Sequence, residues 1–567
     1  MNNNNMKDSK YRAKLADLLF PEWTEGGGGL LTPEDYEVKY PPRTLPEGAA
    51  VTRLGPSPTG FVHLGNLFMA TVNQRLANQS GGVFYLRIED TDQKREIEGA
   101  VPPLISSLKY FGIEFDEGCG LTTESGEYGP YYQSERIRIY RSFVRKLILE
   151  GKAYPCFLTE DEIDGIRAGQ EAEKKLPGIY GEYAEWRGAD PELIEKHIMA
   201  DKPYAVRFFA EYEGPVTDGD TIAVTDGIHG GITMQKNIMD VVIMKTDGLP
   251  TYHFAHAIDD YLMRTTHVIR GEEWLPSLPV HIALFKALGF QPPVYCHTAL
   301  LMKLDEGVKR KLSKRKDPEL SLSYYVADGY HPLAVEEYLL TIINSNYEEW
   351  RMSNPDADNA SFTVTTEKMG SSGIMFDLEK LRNISRDTLA RIPADGLADF
   401  MLGWAKTERP DVYPEFRDYK ELLTAALDIG RKGENIRKDL VYAAQIFEFI
   451  SYFFEPYFNM EDALPDNITE EEAGRLLDGY LAVYDHTDDH TQWFEKIREL
   501  SVRHGYAPKP KDYKNSPDMY KGHVGDVSTV IRRALTGRRN APDIYEIQQI
   551  LGEERTLARL KAALQQS

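Results

Sequence analysis

Cysteine is nearly absent. Cys119, Cys156 and Cys296 are scattered through a 567-residue chain. An odd, dispersed set excludes a disulfide framework and points to a reducing compartment. None of the three forms a close pair beside histidine, so no structural zinc is expected. Long apolar runs are missing too, so no membrane span is expected. The most hydrophobic stretch, Ile446 to Phe458, is broken by Glu448, Ser451, Glu455 and Pro456. Its aromatics are expected on the inner face of a helix. No charged-then-apolar leader pattern opens the chain, and a cytoplasmic location is expected. Net positive charge is also lacking: Lys plus Arg is 66 against 89 for Asp plus Glu, a net charge of -23. That excludes coating of nucleic acid by a uniformly basic surface and leaves room for a local basic groove.

What is present is a large globular chain. Hydrophobic residues make up 42% and charged residues 27%, which excludes disorder throughout. At roughly 150 residues per domain, the length suggests about four domains. Residues 1 to 48 read as an extension without chemistry. Asn2 to Asn5 is low-complexity, Gly26 to Gly29 is a break, Tyr11 to Phe20 is a short helix, and Pro41, Pro42 and Pro46 keep the next stretch extended. Order begins at Ala49. Ala49 to Leu54 reads as a strand, Gly55 to Gly60 as a loop, and the helical spacing of Leu64, Leu67, Phe68, Val72 and Leu76 as a helix. Val83 to Ile88 is a second strand. This order is a βαβ unit and therefore a parallel sheet. Strands recur at Asp240 to Lys245 and His267 to Gly271, followed by a helix over Leu278 to Leu288. One doubly wound domain, split by a turn-rich insertion over 150 to 235, accounts for both blocks. Beyond about 331 the pattern is helical, chiefly at 335 to 344, 378 to 404, 418 to 458, 467 to 484 and 543 to 565. No internal repeat is evident.

Two segments carry chemistry. Arg53-Leu-Gly-Pro-Ser-Pro-Thr-Gly-Phe-Val-His63-Leu64-Gly65-Asn66 joins a strand to a helix N-terminus, where backbone N–H groups and the helix dipole favour phosphate. On local pattern alone, a rigid turn ahead of a core helix is the alternative. Lys309 to Lys316 places six cations in eight residues. A solvated loop is the plain reading of a charge run. In an acidic protein, however, such density suits a polyphosphate or an RNA backbone.

Together they resemble the paired HIGH and KMSKS signatures of class I aminoacyl-tRNA synthetases, as His63-Leu64-Gly65-Asn66 and Lys311-Leu312-Ser313-Lys314-Arg315. Arg87-Ile-Glu89-Asp90-Thr-Asp92, Asp247-Gly-Leu-Pro-Thr-Tyr252 with Asp259-Asp260, and Val268-Ile-Arg270-Gly-Glu272-Glu273-Trp274 narrow the likeness to the glutamyl-tRNA synthetase family. Ala534-Leu535-Thr536-Gly537 with Gly552 and Arg559-Leu560 is similar to that family's anticodon-binding tail.

The resemblance implies an α/β fold: a split Rossmann-like doubly wound parallel sheet followed by an all-α C-terminal half. Its segments would be 49–128 and 236–330 for the two catalytic halves, 129–235 for an inserted acceptor-binding domain, 331–405 for a stem-contact helical domain and 406–567 for a helical anticodon-binding domain. It implies ATP-dependent charging of tRNA(Glu) with L-glutamate through a glutamyl-adenylate, with Mg²⁺ accompanying ATP, in a monomer. A non-discriminating enzyme that also charges tRNA(Gln), or a small-molecule nucleotidyltransferase, is the alternative.

The family's roles fall on matching positions. His63, Lys311 and Lys314 would be catalytic. Arg53, Ser57, Glu89, Tyr252 and Arg270 would hold glutamate. Gly55, His63, Gly65, Glu273, Trp274 and Lys314 would hold ATP, and Arg532, Arg533, Arg538 and Arg539 would meet tRNA. An amide in place of the side-chain carboxylate would leave an arginine donor unmatched, a loss of about 2 kcal/mol. Arg87, Asp90 and Asp92 read as a structural ion network. His256 and Asp260 read as supports for Tyr252 or Arg270. Asn66 departs from the family's usual histidine, and the segment before Ala49 lies outside the shorter family members.

Overall fold

Val51–Leu54 is buried along its whole length, as a strand covered on both faces must be. It pairs in parallel with Val83–Leu86, with Arg53 opposite Tyr85, and Leu64–Gln79 is the crossover helix between them. Glu117–Cys119 continues the parallel sheet beyond Val83–Leu86. On the other side, the Thr266 N–H donates to the Val51 carbonyl at 3.0 Å. That contact leads into His267–Gly271, which runs parallel to Val294–Thr298 with Arg270 opposite His297. Arg53 and Arg270 therefore stand near the carboxyl ends of neighbouring parallel strands, where open α/β sheets bind ligands.

The structure is a computed structural model, and it describes residues 6, 8–23, 31–92, 94, 96–211, 220–432 and 436–566. Asn2 to Asn5 and Gly26 to Gly29 lie outside the described residues. The chain divides into two compact units: one runs to Leu322 and includes Leu339–Phe376, and the other comprises Ser323–Tyr338 and Asp377–Ser567.

The insertion is more regular than its composition suggests. Ala153–Cys156, Ala205–Phe208 and Val242–Met244 form an antiparallel sheet, so the strand expected near Asp240 belongs there and not to the parallel sheet. Thr221–Asp226 and Gly230–Gln235 form a hairpin. The hairpin's Asp226 end joins Val294–Thr298, with Asp226 opposite Tyr295. The early segment is structural. Ser9–Leu19 is a helix, Tyr40 is fully buried, and the Arg43 guanidinium makes two bonds to Glu117 at 2.7 and 2.9 Å.

Tyr252 and His253 open a helix, Tyr252–Leu262. Its buried polar groups are paired. Asp259 accepts from Arg136 at 2.6 Å, Tyr140 at 2.7 Å and Gln133 at 2.9 Å.

The second unit is helical, with a continuous core that includes Met401, Phe416, Ile446, Trp493, Ile531 and Leu560. Here the expectation of one helix through Ile446 to Phe458 fails. The helix Ala443–Ile450 stops, and the tight turns Ser451–Phe453 and Glu455–Tyr457 follow. Pro456 lacks an N–H and cannot extend a helix. Phe453 and Phe454 are nonetheless buried, so the apolar run fills core without staying helical.

Candidate active site

A cavity of about 610 Å³ opens at the ends of these strands. Arg53, Gly55, Ser57, His63, Gly65, Glu89, Tyr252, Arg270, Glu273, Trp274, Lys311 and Lys314 all line it. The residues read from sequence as catalytic, glutamate-binding and ATP-binding are thus brought together, from segments more than two hundred residues apart in the chain.

His63 is the N-cap of its helix. Its Nδ1 accepts the Asn66 N–H at 3.2 Å, and Asn66 Oδ1 accepts the His63 N–H at 3.0 Å. This reciprocal cap fixes the tautomer, because an accepting Nδ1 leaves the proton on Nε2. Asn66, at the family's usual histidine position, is thus the partner that orients His63. Burial, with Lys314 and Lys311 nearby, pushes the imidazolium down to about 4, so the ring is neutral at pH 7.

The guanidinium side is built around Asp260, which is fully buried. It accepts Arg87 Nη1 at 2.6 Å, lies 3.4 Å from Arg53 Nε and 2.7 Å from His256 Nδ1. Arg87 also reaches Glu89 at 2.9 Å. Burial raises the Glu89 carboxyl, while Arg87 and Arg53 pull it back. Asp260 therefore supports Arg53, and not Arg270 as the sequence reading allowed. Asp90 accepts both the N–H and the hydroxyl of Ser134, at 2.8 and 2.6 Å, a structural role. Tyr252 packs against Trp274, ring centroids 4.4 Å apart.

Arg270 has different company. Its Nε meets His297 Nε2 at 3.0 Å and its Nη2 meets His281 Nδ1 at 3.1 Å. Sequence reasoning singled out neither histidine. Their only signal was position, on a strand and a helix that pack beside a buried arginine.

The basic segment is a hairpin arm, Val308–Lys311, followed by a turn. Like charges are relieved from within: Arg310 bonds Asp317 at 2.6 and 2.8 Å and Asp305 at 2.6 Å. Lys311 and Lys314 are left exposed at the cavity, and the Lys314 ammonium sits 4.0 Å from the centre of the Phe61 ring.

The arginines assigned to RNA do not share a surface role. Arg538 pairs with Glu461 at 2.7 Å, Arg533 donates to the Asp462 carbonyl at 2.6 Å, and Arg532 is half-buried. Arg539 is exposed, as are Lys509, Lys511 and Lys514.

The histidines predict an acid-sensitive fold. Burial lowers His63 to about 4, His256 to about 3 and His331 to about 4. In the unfolded chain each titrates near 6.5, so the unfolded state binds more protons below that pH. Stability is therefore full above about pH 7 and falls toward pH 5, by about 1.4 kcal/mol per pH unit for each such ring. Glu89, raised by burial, works in the opposite direction as pH falls through its raised value. Urea midpoints at pH 7, 6 and 5 should decrease stepwise, and a flat series would contradict the burial of neutral rings.

Comparison with known proteins agrees with the geometry. The family described as "tRNA synthetases class I (E and Q), catalytic domain" matches residues 49–383, and an anticodon-binding domain matches 520–564. A glutamate–tRNA ligase of Acetivibrio thermocellus is 53% identical over 552 residues, covering 97% of this chain and 99% of that protein. Most of the segment before Ala49 therefore has a counterpart there. One from Clostridium perfringens is 47% identical, covering 97% of this chain and 99% of its own. The crystal structure of a glutamate–tRNA ligase from Elizabethkingia meningosepticum, in complex with its amino acid, superposes with a TM-score of 0.70 at 25% identity, covering 91% of this chain and 99% of that one. Matched by the class I catalytic family over residues 49–383 and along nearly its whole length by glutamate–tRNA ligases, this chain belongs to the glutamate–tRNA ligase family of class I tRNA synthetases.

Proposed function

We propose that the chain joins L-glutamate to tRNA(Glu) at the expense of ATP, through a glutamyl-adenylate. The observation that carries this reading is the pairing, in one cavity, of Arg53 and Arg270 with Glu89. Guanidinium forks suit a carboxylate, and a buried carboxylate suits an ammonium. An amino acid with an acidic side chain offers both. Ser57 and Tyr252 add neutral hydrogen bonds. The α-carboxylate oxygen attacks the α-phosphorus of ATP, the bond to the bridging oxygen breaks, and pyrophosphate leaves. The terminal ribose hydroxyl of the tRNA then displaces AMP from the acyl carbon.

Both steps gather negative charge on oxygen, so catalysis is by positioning and electrostatics. The Nε2–H of His63 donates to phosphate oxygens. Lys314, supported by Lys311, takes the charge of the departing pyrophosphate. Gly55, Gly65, Glu273 and Trp274 border the nucleotide. Mg²⁺ accompanying ATP would share phosphate charge, and an ion that stays largely hydrated would ask few direct ligands of the chain. Asp92 and Glu273 line the cavity as carboxylates able to bond such waters.

The domain segments read from the sequence support division of the tRNA among 129–235, 331–405 and 406–567. Lys509, Lys511, Lys514 and Arg539 are the exposed cations on the second unit that support RNA contact. Three buried free cysteines suit a cytoplasmic enzyme.

The test is acylation. The protein, ATP, Mg²⁺, labelled glutamate and purified tRNA(Glu) should give acid-precipitable label. No label from folded protein would end this reading, and a parallel assay on tRNA(Gln) reports discrimination. A second prediction concerns Gly55. A Cβ there would lie 2.4 Å from Glu89 Oε1. Glu89 is buried and tied to Arg87, so it must leave its place. Gly55→Ala should raise the glutamate KM about tenfold, the effect of one misplaced charge-assisted bond. An unchanged glutamate KM would contradict the placement of Glu89 on the amino-acid side.

A further inference from the structure

We propose that Asp226 and His297 form a positioning pair that keeps Arg270 aimed and fully charged for the substrate's side-chain carboxylate, and so favours glutamate over glutamine. This rests on the glutamate reading above.

The argument starts from what Arg270 lacks. Arg53 and Arg87 share the Asp260 carboxylate. Imidazoles meet Arg270 at Nε and Nη2, the Tyr252 hydroxyl interacts with it from the cavity side, and no carboxylate lies at ion-pair distance from it among the described residues. A buried guanidinium can be oriented in two ways. A carboxylate would orient it and also cancel its charge before substrate arrives. A neutral imidazole orients it through a lone pair and leaves the charge for the ligand. Of the three buried guanidiniums, Arg53 and Arg87 meet Asp260 directly, whereas Arg270 is linked to the buried Asp226 carboxylate only through the His297 ring. Arg270 is thus left to meet a carboxylate of the ligand directly, which a side-chain amide does not supply.

For His297 to accept from Arg270, its Nε2 must be unprotonated. Asp226 enforces this. It lies 2.6 Å from His297 Nδ1, and its carboxylate is anchored by the N–H groups of Ile228 at 2.9 Å, His229 at 3.0 Å and His297 at 3.2 Å. So many donors keep it ionised, below the usual carboxylate range. An ionised carboxylate can only accept, so the ring proton sits on Nδ1 and the Nε2 lone pair faces Arg270. Both side chains are completely buried. The strand register sets the distance, because Arg270 and His297 are direct partners in the parallel pair, and Asp226 reaches them from the end of the inserted hairpin. On the far side, His281 Nε2 lies 2.8 Å from His253 Nδ1. A proton on that Nε2 leaves the His281 Nδ1 as a second lone pair toward Arg270.

The test uses the full-length enzyme and three variants. Gln places an acceptor oxygen near the position of Nε2, whereas Phe keeps the ring without any acceptor. His297→Phe should raise the glutamate KM at least tenfold, with kcat and the ATP KM within about twofold. His297→Gln should return the glutamate KM to within about threefold of wild type. Asp226→Asn, which no longer dictates the tautomer, should raise it in the same direction as His297→Phe, and both should lower the preference for glutamate over glutamine in competition. Parallel rises in the glutamate and ATP KM, or a Gln variant no better than Phe, would show a merely structural role and overturn the proposal. If His297→Phe does not fold, Asp226→Asn against His297→Gln gives the same comparison. Failure of the wild-type enzyme to charge glutamate would instead overturn the functional reading.

Discussion

Asp260→Asn should destabilise the first unit by about 3–5 kcal/mol, the cost of removing one partner from a buried ion cluster. The substitution preserves shape and one hydrogen-bond acceptor. It removes the charge shared by Arg87, Arg53 and His256 at the centre of the fold. Arg87 would keep Glu89, at 2.9 Å, as its ion-pair partner among the described residues. Arg53 would keep no carboxylate at ion-pair distance among the described residues. Neither arginine can shed its proton, and both are buried. The expected readout is a large fall in the urea midpoint at pH 7, with glutamate binding lost in whatever remains folded. A change below about 1 kcal/mol would mean the guanidiniums are compensated elsewhere, and the account of Arg53 as an arginine held for substrate would fall with it. Acid should not mimic the mutation. The Arg87 and Arg53 charges hold the Asp260 carboxyl well below its ordinary range. Its contribution is present above the unfolded value near 3.9 and is lost only as pH falls from there toward the folded value. The decline between pH 7 and 5 belongs to the histidines.

The sequence was most legible where local pattern and chemistry coincide. Strand, glycine-rich turn and helix from Val51 to Gln79 follow from side-chain period and turn residues, and the structure places them almost residue for residue. Arg53 stood out because a cation on a buried strand has no structural excuse of its own. Lys314 stood out by charge density. What the sequence hid is what depends on pairing across distance. Asp226 lies in a Thr- and Gly-rich stretch whose alternation is weak, so neither the hairpin nor its attachment to Val294–Thr298 could be seen. His297 and His281 are ordinary core residues until Arg270 is set beside them. The Ile446 to Phe458 stretch misled for the opposite reason: burial and helicity are separate properties, and Pro456 allows the first while forbidding the second. For the RNA-side arginines, charge density does not reveal which cations are already paired, as Arg538 is to Glu461.

Lys314→Ala should lower kcat for ATP–pyrophosphate exchange by about 10²–10³-fold, the usual consequence of removing one preorganised group from a developing charge, or about 2.7–4 kcal/mol. The geometry says why this lysine cannot be replaced by its neighbours. Arg310 is committed to Asp317 and Asp305. Lys303 is committed to Asp317 and Glu319. Lys311 also lines the cavity, but it ends the hairpin strand and is bound to its register opposite Met302. Lys314 lies in the turn beyond that strand, its ammonium resting on the Phe61 ring two residues before His63. That contact is a weak cation–π hold in the absence of phosphate, about 0.5–1 kcal/mol at an exposed position, and a polyphosphate would outcompete it. The two groups that would face the phosphates thus meet at one aromatic side chain, His63 from the helix cap and Lys314 from the turn. The glutamate KM should change by less than about threefold in Lys314→Ala, because Arg53, Arg270 and Glu89 are untouched. Lys314→Arg should recover only part of the rate, since a planar fork does not reproduce a compact ammonium. Single-turnover adenylate formation, measured beside equilibrium glutamate binding, separates the two effects. Equal losses in binding and chemistry would place Lys314 on the amino-acid side of the cavity and remove it from the pyrophosphate.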